Sequence, residues 1–246
     1  MIILLAGMAL LASCRVVEKI DDNIYIPNLG GQEIPEDEKN EIDKWLVEQF
    51  TDTYNIEVIY RWDAAQMHSD YDHKIIPVEY SKVKPAMEAI GKVWFEPYVE
   101  IKGDEFLLNY APKTVMLIGS AEWDSNGKVL GQAEGGKKIY LLDINALDPQ
   151  SASGIKTMMH VVEHEFAHIL HQTIPYPEAF AEITTNYDAS SWYNTKEADA
   201  YGMGFVSRYA RYNDNEDFVE TMSLIMVNGL DWFENTVIKG AQGSVD

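Results

Sequence analysis

Cysteine is almost absent from this chain. The 246 residues contain a single cysteine, Cys14, which excludes an internal disulfide framework. The same scarcity excludes a metal site built mainly from thiolates. Any metal site must therefore use histidine, aspartate or glutamate side chains.

Basic residues are also scarce. Lys and Arg number 19 against 40 Asp and Glu, which gives a formal net charge of −21. Nucleic acids and anionic membranes attract basic surfaces, so this balance argues against a nucleic-acid partner and against direct membrane binding by the folded surface. The apolar fraction of 46% is ordinary for a soluble protein, and the length is sufficient for a sizeable core.

Long hydrophobic runs are missing as well. The N-terminal apolar stretch, residues 2–12, has eleven residues, whereas a membrane-spanning helix needs about 20. A stretch of this length is typical of the central region of a signal peptide. It ends in Leu11-Ala12-Ser13-Cys14, which resembles the lipobox of bacterial lipoproteins, where the cysteine is lipidated.

This resemblance implies three segments: a lipoprotein signal peptide over residues 1–13, a lipidated tether over 14–35 and a folded domain over 36–246. Arg15 follows the cysteine, which by resemblance to lipoprotein sorting signals favours the outer membrane. We therefore expect a lipid-anchored protein of the cell envelope, on the periplasmic or the external face.

The residue pattern predicts an α+β fold, with a helix and strands first, followed by helices only in a helical C-terminal half. Strands are predicted over residues 55–62, 114–118 and 138–142. Helices are predicted near 36–50 and over 83–98, 155–172, 179–185, 196–209 and 216–226.

An H-E-x-x-H motif lies inside the most strongly helical segment. Its residues are His164, Glu165 and His168. A step of four residues turns a helix about 40° past one revolution, so the two histidines share one face and can bind one zinc ion. Glu165 faces sideways and is placed to act on a water molecule, which is the position of a general base.

The third ligand is open at this point. His171 shares the histidine face but lies about 10 Å along the helix axis from His164, and the glycine-containing extension H-x-x-G-x-x-H is absent. A role beside the ligands or toward the substrate suits it better. The acidic candidates further along the chain are Glu178, Glu182, Glu197, Glu216 and Glu220.

Residues 209–220 resemble the metal-binding segment of the anthrax lethal factor protease domain. That segment has the form Y-x-R-x-N-x-x-E-x-F-x-E and follows an H-E-F-x-H helix. The resemblance implies that Glu216 is the third zinc ligand and that Tyr209 stabilises the transition state. Glu182 remains the alternative ligand.

Helix geometry supports a joint role for Glu216 and Glu220. Glu216 begins a predicted amphipathic helix, and Glu220 lies one turn further on the same side. One carboxylate can bind the metal while the second accepts a histidine N–H. Acidic residues that merely complement a helix N-terminus would give a similar pattern.

The whole chain is similar to the Bacteroidetes lipoproteins called substrate import-associated zinc metallohydrolases. The similarity is carried by Cys14, the H-E-x-x-H-x-x-H helix and the acidic motif from Glu216 to Glu220. It implies a zincin-like domain with a small mixed sheet, an active-site helix and an association with outer-membrane nutrient importers.

We therefore expect a zinc-dependent hydrolase that cleaves peptide or protein substrates. Glu165 would act as the general base and Tyr209 would bind the oxyanion. The predicted strand at 138–142 would be the edge strand that pairs with an extended substrate. The alternative hypothesis is a zinc-binding lipoprotein of an import system that hydrolyses no peptide.

Overall fold

A four-stranded mixed sheet packs against a long helix that carries the H-E-x-x-H motif. The computed structural model describes residues 34–62, 75–124 and 127–243. Cys14, the predicted signal peptide and nearly all of the predicted tether lie outside the described residues.

Ten α-helices occur in the described part of the chain. They are α1 (Glu41–Leu46), α2 (Asp52–Tyr54), α3 (Tyr80–Ile90), α4 (Glu96–Lys102), α5 (Asp104–Tyr110), α6 (Ala152–Thr173), α7 (Glu197–Gly202), α8 (Asp214–Asn228), α9 (Leu230–Trp232) and α10 (Lys239–Gly243). The π-helical segments Val47–Thr51, Gly91–Phe95 and Phe233–Ile238 join α1 to α2, α3 to α4 and α9 to α10. Short 3-10 helices span Glu36–Glu38, Ile144–Ala146, Glu178–Glu182, Trp192–Asn194 and Tyr209–Tyr212.

The described strands form two sheets. They are β1 (Glu57–Ile59), β2 (Thr114–Leu117), β3 (Glu122–Asp124), β4 (Gly127–Val129), β5 (Gly131–Glu134) and β6 (Lys138–Leu141). The main sheet has the order β1-β2-β6-β5, with β1, β2 and β6 parallel and β5 antiparallel to β6. Strands β3 and β4 form a separate antiparallel pair.

Both faces of the central strands are buried, which explains their continuous apolar sequences. Side chains alternate between faces along a strand. Val115 and Ile139 belong to the main core, whereas Met116 and Tyr140 belong to a smaller cluster on the opposite face. The central strands are therefore fixed from two sides, and they support the edge strand β5.

Helix α6 is amphipathic, and its apolar side joins the main core. Ser151 caps its N-terminus by accepting a hydrogen bond from the Gly154 N–H at 3.2 Å. Phe166 packs against Trp94 with ring centroids 5.3 Å apart, and Val162 is fully buried. These contacts on one side leave the histidine side of α6 facing the second half of the chain.

The predicted α+β class is confirmed, and after β6 all the regular elements that the structure describes are helices. Two helix predictions are wrong in detail. The helix predicted over 179–185 is a 3-10 helix that spans Glu178–Glu182, and the helix predicted over 196–209 ends at Gly202. Gly204 has a φ of +96°, a left-handed conformation that stops the helix, so Tyr209 lies on a separate 3-10 turn.

The prediction for the edge strand is also wrong. The strand at Lys138–Leu141 lies between β2 and β5, so both of its edges are already paired. The edge near α6 is β5, which the sequence pattern did not predict.

None of the helices that the structure describes has the length and apolar character needed to span a bilayer.

Candidate metal centre and active site

Helix α6 holds the two motif histidines one turn apart on its polar side. The rings of His164 and His168 have centroids 4.9 Å apart. His164 is buried, while His168 remains partly exposed. The predicted spacing therefore produces two imidazoles that converge toward one point.

Helix α8 brings Glu216 to the same point. Asn213 caps α8 by accepting a hydrogen bond from the Glu216 N–H at 2.9 Å, which fixes Glu216 in the first turn. Its Oε2 atom lies 3.1 Å from His164 Nε2 and 3.4 Å from His168 Nε2. These three residues form one of the two clusters in the described chain with the spacing of a metal site.

The donor atoms of this cluster fit a cation. Glu216 Oε2 is a buried oxygen without a hydrogen-bond partner, although an imidazole nitrogen of each histidine lies within 3.4 Å of it. A buried oxygen of this kind is costly unless something satisfies it. Two imidazole nitrogens and one carboxylate oxygen are a ligand set that zinc commonly takes.

Glu220 fixes the orientation and the proton of His164. Its Oε1 lies 2.9 Å from His164 Nδ1 and 2.8 Å from His160 Nε2, and its Oε2 accepts a hydrogen bond from Ser207 Oγ at 2.6 Å. Because a carboxylate only accepts, Nδ1 of His164 carries the hydrogen. Its Nε2 is the nitrogen that faces Glu216, and a metal ion would take the lone pair of this nitrogen.

The carboxylates around His164 favour positive charge at the three-residue cluster of His164, His168 and Glu216. Burial lowers the pKa of His164, but the carboxylates of Glu216 and Glu220 outweigh it and raise that pKa to about 10. Burial raises the pKa of Glu216, but His164 and His168 outweigh it and lower that pKa to about 2. Burial likewise acts against ionisation of Glu220, and His160 and His164 still keep its pKa below the ordinary value.

Glu165 faces the edge strand beside the cluster. Burial raises its pKa above the ordinary value, while the charges of His164 and His168 and the nearby Ala133 N–H act in the opposite direction. Strand β5 lies very close to α6 at this place. A Cβ atom added to Gly131 would lie 2.1 Å from Val161 Cγ1, so a larger residue does not fit without displacement.

Tyr209 lies across the cleft from α6. Its ring centroid is 5.8 Å from that of His164 and 4.8 Å from that of Trp192. Burial and then the charge of Glu216 raise the pKa of Tyr209, so its hydroxyl stays protonated and can donate a hydrogen bond. The cleft has a volume of about 590 Å³ and is lined by residues that include Tyr209, Glu165 and Lys128.

The structure does not bring His171 or Glu182 to the cluster. The helix continues unbroken to Thr173, which carries His171 past the site, and its ring stacks on Tyr176 with centroids 4.4 Å apart. Glu182 is exposed at the end of a 3-10 helix. Neither residue belongs to the possible metal-binding clusters in the part of the chain that the structure describes.

Sequence reasoning missed Ser207 and strand β5. Strand β5 contains no β-branched or aromatic residue, so strand propensity gave no signal. A signal did exist in the turn that follows. Gly135 and Gly136 have φ of +60° and +66°, and a glycine pair before a strand is typical of a tight hairpin.

The family comparison decides the class of the protein. A family model described as "Putative zinc-binding metallo-peptidase" matches residues 35–244. The chain belongs to this family. The matched range contains His164, His168 and Glu216. It begins one residue before the predicted folded domain.

A solved structure agrees with this family. It is a crystal structure of a putative zinc-binding metallo-peptidase from Bacteroides caccae ATCC 43185, with 36% sequence identity and a TM-score of 0.69. The match covers 84% of this chain and 79% of the other. The zinc expected from the sequence agrees with both descriptions. No curated protein matches the chain.

Proposed function

We propose that this family member is a zinc-dependent peptidase in which His164, His168 and Glu216 bind the metal. The observation that carries the proposal is the convergence of three ligand atoms, one of which is a buried oxygen without a hydrogen-bond partner. When bound, zinc lowers the pKa of a coordinated water and polarises a substrate carbonyl.

Glu165 is the general base of the proposed reaction. Its raised pKa suits a group that takes a proton from water and then gives it to the leaving amine. The Ala133 N–H lies near this carboxylate and favours its charged form. Tyr209, on the opposite wall, donates a hydrogen bond to the oxyanion that develops on the substrate carbonyl.

Strand β5 supports a peptide as the substrate. The Leu142 N–H donates to the Leu130 carbonyl at 2.9 Å, which makes these residues a hydrogen-bonded antiparallel pair. Such pairs alternate, so the backbone groups of Gly131 and Ala133 point away from β6. An extended peptide chain can pair with this edge beside Glu165.

Metal content and peptide cleavage test this function. The purified chain should hold one zinc ion by mass spectrometry and should cleave members of a peptide library. Glu165→Gln should keep the zinc and lose at least 1,000-fold in rate, because the base is removed while the ligands stay. Wild-type protein without zinc would refute the proposal. Zinc without any peptide cleavage would favour the non-peptide alternative.

We also propose that Cys14 carries a lipid anchor that holds the enzyme at the outer membrane near nutrient importers. The support is the lipobox-like sequence before the chain's one cysteine. An anchor would supply the membrane affinity that a net charge of −21 does not. In a bacterial host, radioactive palmitate should label the wild-type chain but not Cys14→Ser. Equal labelling of the two would contradict the anchor.

A further inference from the structure

A second cavity opens beside the active-site cleft. It has a volume of about 310 Å³ and lies between the N-terminal half of α6 and the segment that follows β6. Its apolar wall includes Leu130, Leu142, Ile144, Leu147, Met158 and Val161. The size is at the lower end for ligand pockets, so the cavity suits one side chain and not a whole ligand.

The cavity adjoins the cleft. Lys128, Leu130 and Val161 line both spaces. Val161 stands three residues before His164 on α6. Leu130 precedes Gly131, whose added Cβ atom would lie 3.6 Å from Glu165 Cγ. A substrate residue held at β5 beside Glu165 can therefore direct its side chain into the cavity.

The chemistry of the cavity favours an uncharged apolar side chain. Ile144 and Leu142 are buried at its wall, with 2% and 7% exposure. The charged groups at the junction neutralise each other, since Lys128 Nζ lies 2.5 Å from Asp143 Oδ2. A charged substrate side chain would lose its hydration against the apolar wall, and the remaining charged residue of the lining, Asp148, is exposed to solvent.

We propose that this cavity is the specificity subsite of the enzyme and that it takes the side chain of Leu, Met or Phe next to the cleaved bond. This inference rests on the proposed peptidase function. Burial of one such side chain is expected to favour it over glycine by about 10- to 100-fold in kcat/KM. The preference should fall on one fixed side of the cleaved bond.

Two threonines of α6 provide a matched pair of variants. Thr157 is exposed and lines the rim of the cavity, whereas Thr173 is exposed at the other end of the same helix and does not line it. Thr157→Trp should fill the cavity and reduce the preference for Leu over Gly to less than 3-fold. Thr173→Trp should leave the preference for Leu over Gly unchanged. Ala146 is also exposed and lines the cavity, so Ala146→Trp should reduce the preference for Leu over Gly in the same way as Thr157→Trp.

Binding separates this inference from the proposed function. Leucine hydroxamate and glycine hydroxamate share a zinc-chelating group and differ in the side chain. Calorimetry with zinc-loaded Glu165→Gln should show about 10-fold tighter binding of the leucine compound, lost when Thr157→Trp is added. Equal binding of the two compounds by a zinc-loaded chain would overturn the subsite alone. A chain that takes up no zinc would overturn both proposals.

Discussion

At the residue scale, the proposed metal centre depends on which nitrogen of His164 carries a proton. Glu220 accepts the Nδ1 hydrogen at 2.9 Å, and this leaves Nε2 directed at Glu216. Ser207 occupies the other oxygen of Glu220 at 2.6 Å. The carboxylate is therefore held from two sides, which limits the freedom of the ligand it orients.

Substitutions of Glu216 and His171 should have opposite effects on zinc affinity, one large and one absent. Glu216→Ala should lower zinc affinity at least 100-fold, because it removes a proposed ligand and not only a group that orients one. His171→Ala should leave zinc affinity unchanged, since its ring stacks on Tyr176. Competition with a fluorescent chelator measures both. The assignment of the third ligand would fail if His171→Ala lost the metal and Glu216→Ala kept it.

At the element scale, the cleft depends on how closely β5 approaches α6. Gly131→Val should push the strand away from Val161, because the added Cβ atom alone would come within 2.1 Å of it. Strand β5 would then move away from Glu165, whose Cγ lies 3.6 Å from that added Cβ position. We expect kcat/KM to fall at least 10-fold while the zinc content stays near one per chain.

The control for this variant is Gly243→Val. An added Cβ atom at Gly243 meets nothing within 4 Å, so activity should be unchanged. Peptide cleavage and metal analysis on the two variants make the comparison. Full activity of Gly131→Val would show that the close approach of β5 is not needed for catalysis.

Elements with a strong pattern were predictable, and those with a weak pattern were not. Helix α6 was predicted over 155–172 and spans Ala152–Thr173, because its apolar side repeats with the helix period. The helix predicted over 196–209 ends at Gly202, because the left-handed conformation of Gly204 prevents it from continuing. Strand β5 has little pattern of its own and exists because it pairs with β6.

At the scale of the whole molecule, the proposed zinc ion would connect α6 with α8. A metal that binds only the folded chain stabilises it by about 4 kcal/mol at 1,000 times its Kd. For a chain of this size that corresponds to about 8–16 °C in Tm. Chelation with EDTA should lower Tm by this amount, and added zinc should restore it.

Glu216→Ala serves as the control for this measurement. It removes the only proposed ligand that α8 provides, so zinc and EDTA should change its Tm by less than about 3 °C. Scanning calorimetry of both proteins in each condition gives the comparison. Equal Tm values for the wild-type chain with zinc and with EDTA would show that the metal does not link the two helices.

The sequence by itself determined the features that depend on short-range spacing. Two histidines four residues apart must share a helix face, and a glutamate between them must point to the side. The low cysteine count and the acidic composition follow from the residues alone. These conclusions need no knowledge of how distant segments meet.

Only the tertiary structure decided which distant residues meet α6. Glu216 lies 48 positions after His168, and no periodicity specifies that its Oε2 approaches two imidazoles. The same holds for Ser207 beside Glu220 and for the edge strand β5 beside Glu165. Long-range contacts of this kind arise from packing of the core and from pairing of strands, which local residue patterns do not encode.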